Sequence, residues 1–574
     1  MFKSILFTTA ALGVLSACSN TNQLEVAAEN DWCISGGTIY TADDDKPIVE
    51  AVAVKNGKIV YVGENVGDWC NSASFNNLRE INLDGSAMYP GLTDAHGHLL
   101  GIGLREVTLN LEGVNSIKHL KEKVAEAVKT TPIGETIYGR GWIETHWPEK
   151  RFPNKLDLDD ISKDHPIILE RADGHAVVVN SEALNLSGIN MSTAAPYGGA
   201  INKFDEAFGI ENENKPDGML IDNASQLIND LLPKLTPERK EEAYIIGANL
   251  YASRGWSGIH SMSVDPDDIV ILNRLADENK IKIRVYNSVD VNNPNELPKV
   301  LNNDDLNSNE LIQTRAIKLY ADGALGSRGA SLIEPYSDDP TNSGLMTLKE
   351  KEAKIMLERA LKEGVQVNIH AIGDSGNREV LRWYKNAFDQ IPHADRKITD
   401  PRWRIEHSQI LHREDIPLFS KYGIIPSMQP SHAIGDLYFA EDRLGKDRLA
   451  GGYAWRSLID SGSIIAGGTD APVEVGDPRI EFYAAIERKG LDGFTSDAWY
   501  NNEKVTSHEA LKMFTKWPAY ASFQETKIGT IEIGKTADFT IFDTDILEVQ
   551  GSDILNAEPL MTIVNGKVAF DALN

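Results

Sequence analysis

The chain has 574 residues, 41% hydrophobic and 25% charged, with a formal net charge of −28. This composition fits a folded chain of more than one structural unit. It argues against a nucleic-acid partner, because a phosphate backbone needs a basic footprint. The acidity names no substrate, since an acidic surface most often serves solubility.

Residues 1–18 open with "MFK" and an apolar run, "SILFTTAALGVLSA", too short to span a membrane. They read as a lipoprotein signal peptide. "LSAC" resembles a bacterial lipobox, with Cys18 as the lipidated residue; an ordinary secretory signal is the alternative. Residues 19–30 form a polar tether. Ser19 follows Cys18, and by resemblance to Gram-negative lipoproteins this points to the periplasmic side of the outer membrane. The expectation is therefore a protein of the bacterial cell envelope that touches the membrane through its lipid anchor alone. The remaining cysteines, Cys33 and Cys70, each end a "DWC" tripeptide. In an exported chain they are disulfide candidates; otherwise they are two small buried apolar side chains.

Residues 31–90 carry short alternating strands and tight turns, including "KNGK", a hairpin signal. Residues 505–574 read alike and hold a second "NGK". Both chain ends are expected to pair into one small β-sandwich domain. Between them, residues 91–504 alternate short apolar runs with longer amphipathic stretches such as "TLKEKEAKIMLERALKEG", a helix with a Gly stop. Eight candidate strands favour a closed parallel barrel, an α/β (β/α)8 TIM-like fold. An insertion after the first strand is expected over about 104–250.

Ligand-type residues stand at the C-terminal ends of those strands, where barrel active sites lie. They are His96 and His98 on strand one, Lys318 on four, His370 on five, His407 on six and Asp470 on eight. In a strand, His96 and His98 point to one side and can chelate one ion. Alone, the pair could be chance. Lys318 sits between Ile317 and Leu319, where a bare ammonium is costly to bury. It could form a Schiff base, or carry CO2 as a carbamate ligand.

The order "TDAHGH", a barrel Lys, "NIHAIGD", "RIEHSQ" and "GGTDAPVE" resembles the amidohydrolase superfamily. "DGHAVVVNSEAL", "KLYADGALGSRGA" and "MQPSHAIGD" narrow this to the branch that includes N-substituted formamide deformylases. The resemblance implies that His96, His98 and Asp470 bind one divalent metal and His370 and His407 a second, with carboxylated Lys318 between them. One or two ions, zinc first among them, would supply activated hydroxide. Asp470 would carry the proton to the leaving nitrogen, and His175 would reach the substrate or its oxyanion. Trp142 and Trp147 are expected as pocket walls, and Arg328 as a contact to a polar substrate group. Ile143, Glu144 and His260 depart from residues common in relatives. The implied function is hydrolysis of a C–N bond in a small-molecule amide or formamide. The rivals are ester, lactone or cyclic-amide hydrolysis, a Schiff-base lyase using Lys318, and a non-catalytic surface binding protein. The sequence leaves the oligomeric state open.

Overall fold

The computed structural model describes residues 31–70 (of Asp68 the backbone alone), 78–145, 147–204, 208–209, 214–291, 297, 309–495 and 499–572. The signal peptide, the tether and Cys18 lie outside these residues.

All eight expected barrel strands form. They are β1 (Leu92–Gly97), β2 (Trp256–Val264), β3 (Arg284–Asp290), β4 (Ile312–Tyr320), β5 (Gln366–Ala371), β6 (Arg404–His407), β7 (Ile425–Met428) and β8 (Ala466–Gly467). Each pairs in parallel with the next. Polar groups tie the seam between β8 and β1. Asp94 accepts from the backbone N–H of His96 at 3.0 Å and of Thr469 at 2.9 Å, and the Asp470 N–H reaches the His96 carbonyl at 2.6 Å. The seam also requires Gly468, where a Cβ would stand 2.4 Å from His96 N. The "TLKEKEAKIMLERALKEG" helix runs over Glu350–Glu363 and stops at Gly364, whose φ of 81° suits glycine. It buries Ala353, Met356, Leu357, Ala360 and Leu361, a helical stripe facing the barrel.

The two chain ends share one continuous eight-stranded mixed sheet. Each NGK is a two-residue hairpin with positive φ at both turn residues, Asn56 and Gly57, Asn565 and Gly566. Both turns converge on Ala537: its N–H donates to Gly57 O, and its carbonyl accepts from Gly566 N. One sheet face buries Trp32, Ile34, Val52, Phe539 and Ile563. The other packs Ala51 and Ala53 against Cys33 and Cys70, which are joined in a disulfide.

Two expected boundaries move. Helices Ser507–Met513 and Lys516–Ala521 belong with the barrel, where Leu511, Met513 and Phe514 join the main core. Helix Pro237–Arg254 likewise packs on the barrel through Tyr244, Ala248 and Tyr251. The insertion proper is a six-stranded sheet running from Leu109 to Asp222. Both shifts have one cause: amphipathic helices next to β-rich segments carry no mark of the core they join. Among the described residues no helix is long and apolar enough to cross a membrane.

Candidate metal-binding active site

The barrel brings its strand ends together as expected. His96 is fully buried, and its ring centroid lies 4.8 Å from that of His407, which lies 4.5 Å from that of His370. Asp470 Oδ1 stands 3.0 Å from His98 Nε2 and 3.3 Å from His96 Nε2. Lys318, buried on β4, puts Nζ 3.5 Å from His96 Nε2. His407 and Asp470 both hold left-handed backbone, with φ of 73° and 60°. Non-glycine residues bear that strain where the surrounding structure over-determines it, often at functional sites.

The hydrogen bonds of three histidines fix their tautomers. His96 Nδ1 donates to Glu406 Oε2 at 2.5 Å, His98 Nδ1 to the Met262 carbonyl at 3.2 Å, and His407 Nδ1 to Gln429 Oε1 at 2.8 Å. Each partner can only accept, so in the neutral ring each Nε2 is left as a lone pair. The Nε2 atoms of His96 and His98 then face a carboxylate. Two lone pairs beside an anion repel unless a cation stands among them. His370 Nε2 is also buried with no hydrogen-bond partner. Ligand atoms of His96, His407 and Asp470 all lie within 4.8 Å of one another. This donor set fits a divalent ion, with outer carboxylate and amide groups orienting the imidazoles as metal sites require.

Electrostatics agree. Burial pushes His370 and His407 well below the usual imidazole range, and it lowers His98 and the Lys318 ammonium too. Burial alone would raise Asp470, but positive charge placed against it at His96, and hydrogen bonds from His96 and His98 when those rings are protonated, hold it well below the carboxylate range. His98, His370 and His407 are thus disposed as neutral imidazoles and Asp470 as an ionised carboxylate, the forms that bind metal.

His175 enters from the insertion. It ends the short turn "ADG" between strands Ile167–Arg171 and Ala176–Val179. Its Nδ1 donates to Asp222 Oδ1 at 2.7 Å, and its ring lies 5.1 Å from that of His370. Burial opposes its charge, yet Asp222 raises it to about 9. A cavity of about 570 Å³ is lined by His96, His98, His175, Lys318, His370 and Asp470 together.

Three expected substrate contacts are elsewhere. Trp142 is buried in the insertion's own core, with Nε1 donating to the Leu169 carbonyl at 2.9 Å. Trp147 is buried beside it and donates to the Val114 carbonyl. Both are packing residues. Arg328 is held by Asp338 at 2.8 Å and does not line the cavity. Glu144 is taken by Arg171 at 2.8 Å.

Other residues emerge only in the fold. Glu406 and Arg404 lie beneath His96, both fully buried. Arg404 Nη1 donates to His260 Nδ1 at 2.9 Å, and burial together with Arg404 keeps His260 well below its ordinary range, hence an acceptor. The pattern Arg-x-Glu inside the apolar run "RWRIEH" was the available signal: alternate charges on a buried strand need each other. His432 stands 3.6 Å from Asp470 and 3.7 Å from Glu474. Nothing in its local sequence marks it as facing the site.

Comparison with known proteins agrees with this geometry. A family model described as "Amidohydrolase family" matches residues 79–570. The protein YtcJ of Bacillus subtilis is 31% identical over 546 residues, covering 93% of this chain and 98% of that one. The N-substituted formamide deformylase of Arthrobacter pascens is 24% identical over 559 residues, covering 94% and 98%. The crystal structure of an uncharacterized metal-dependent hydrolase from Pyrococcus horikoshii superposes with a TM-score of 0.69 at 25% identity, covering 91% and 99%.

Proposed function

Since the chain belongs to the amidohydrolase family, and is a hydrolase of that kind, we propose that it cleaves a C–N bond in an N-substituted amide or formamide. One observation carries the reading: His96, His98, Lys318, His370, His407 and Asp470 line one cavity, with His175 from the insertion lining it too. The relative named as an N-substituted formamide deformylase supports the substrate class.

His96, His98, His370, His407, Asp470 and a carboxylated Lys318 would hold one or two divalent ions, zinc being the expected one. An ion there supplies Lewis acidity toward a carbonyl oxygen and toward water. The chain's own groups do the rest. Asp470, ionised, takes a proton from the attacking water and delivers it to the leaving nitrogen. The water oxygen bonds to the carbonyl carbon, the C–N bond breaks, and the products are a carboxylic acid and an amine. Raised to about 9, His175 is an imidazolium at neutral pH, so it carries an Nε2–H besides the Nδ1–H given to Asp222. It offers that donor to the oxygen that gains charge. The test is a screen of metal-loaded protein against formamides, acyl amino acids, cyclic amides and lactones, scored by amine release. Turnover of lactones or esters with no amine released from any amide would overturn the C–N assignment.

The same proposal extends to location. "LSAC" supports lipidation at Cys18, and the Cys33–Cys70 bridge fits an oxidising compartment. Cys18→Ser should move the protein from membrane fractions to the soluble fraction; a variant that still pellets would refute the anchor.

A further inference from the structure

Arg140 plays no part in the chemistry above, yet it lines the same cavity as His96, His175 and Asp470. It comes from the insertion strand Ile137–Trp142. A guanidinium has five N–H donors in a rigid fork. Among the described residues Arg140 makes one hydrogen bond, from Nη2 to the Ala172 carbonyl at 3.2 Å. Its Nε is buried without an acceptor. The Glu170 carboxylate stands 3.6 Å from that Nε, beyond hydrogen-bond reach, and accepts instead from the Tyr138 hydroxyl.

Other charges on the cavity wall, outside the proposed metal ligands, are hydrogen-bonded to a counter-charge, whereas Arg140 meets Glu170 only as an ion pair at 3.6 Å. Lys240 donates to Asp268 at 2.6 Å, Asp173 accepts from Arg171 and from the His175 N–H, and His175 donates to Asp222. The space beside Arg140 is kept clear by a glycine. A Cβ on Gly174, which also lines the cavity, would stand 3.2 Å from Glu170 Oε1 and 3.4 Å from Arg140 Nη2, and its φ of 72° disfavours any side chain. Leu100, Leu104, Met262 and Val473 give the cavity an apolar side. A half-buried fork that makes one hydrogen bond and meets Glu170 only as a loose ion pair, next to a glycine-cleared space, is suited to a planar anion.

We infer that Arg140 is a specificity-determining residue that binds a carboxylate of the substrate, so that the preferred substrates are amides carrying both a carboxylate and an apolar group. This rests on the hydrolase reading above. The test compares N-formylphenylalanine with N-(2-phenylethyl)formamide, which lacks only the carboxylate, on the metal-loaded full chain. Wild type should favour the acid in kcat/KM. In Arg140→Gln that preference should fall by about ten- to a hundredfold, mainly through KM, the usual effect of losing a charge-assisted hydrogen bond. Arg140→Lys, a point charge without the fork, should fall between. A change in preference below about twofold in both variants would overturn the assignment. Calorimetric titration with 3-phenylpropanoate, which has no C–N bond, separates the two claims. If neither formamide turns over, the hydrolase reading fails, while equal affinity of wild type and Arg140→Gln for this acid refutes the role of Arg140. Weaker binding by the same factor upholds it.

Discussion

Glu406→Gln removes one charge beneath the proposed metal site and leaves the volume nearly unchanged. Glu406 is fully buried, accepts from His96 Nδ1 at 2.5 Å and from Arg404 Nη2 at 2.9 Å, and pairs with Arg404 Nε at 2.7 Å. Breaking a buried ion pair from one side costs about 3–5 kcal/mol, because the partner charge stays uncompensated. Arg404 keeps the Ala95 carbonyl at 2.6 Å, the Ser427 hydroxyl at 2.7 Å and His260. Those acceptors place the expected loss near the lower end, about 3 kcal/mol. The second effect falls on His96. Loss of an outer carboxylate that orients a ligand histidine typically costs 10–100-fold in metal affinity. Denaturant unfolding of the metal-free protein reads the first effect, and competition with a chromophoric chelator reads the second. Metal affinity within about twofold of wild type would refute the claim that Glu406 orients a ligand.

Lys318→Ala should lose metal and activity, and a short carboxylic acid in the medium should restore part of the rate if a carbamate bridges there. Borohydride trapping with substrate would label the protein only if Lys318 forms a Schiff base. Asp222→Asn tests the His175 pair through pH. His175 has a folded pKa raised from 6.5 to about 9 by Asp222, so its contribution is fully present below pH 6.5 and is lost as pH rises through about 9. The melting difference between wild type and Asp222→Asn should therefore be larger at pH 6 than at pH 10, with a ceiling of about 3 kcal/mol at the acid end; a pH-independent difference contradicts the pairing. Cys33→Ser opens a loop with a sequence separation of 37 and should cost about 3–4 kcal/mol in unfolding experiments. No change in stability would mean the bridge does not form in the protein.

Much of this site was legible because its residues sit at strand ends, where the chain carries its own markers. Period-two strands end in His96, His370 and His407, and the apolar run around Lys318 makes a charge there conspicuous. The orienting groups were harder to see for a geometric reason. Asp222 lies 47 residues from His175, and only the antiparallel register of Ala176 with Ile221 brings them together. Trp142 misled because a large aromatic near a site resembles a wall. The insertion has a core of its own, and Trp142 fills it. Arg140, two residues earlier in the same strand, lines the cavity instead, because the strand register breaks between the two at Gly141, whose φ is 112°. The helix Pro237–Arg254 packs on the barrel rather than in the insertion, and its amphipathic pattern shows that a face is buried without showing against what.

The most direct test of a metal-dependent hydrolase is elemental analysis of protein never exposed to chelator, run beside amide hydrolysis by the same sample and by His96→Ala. A site built from these imidazoles, Lys318 and Asp470 should hold one or two divalent ions per chain, and His96→Ala should lose both metal and amine release. Less than about half an equivalent of metal in active protein, or full activity in metal-free His96→Ala, would contradict it.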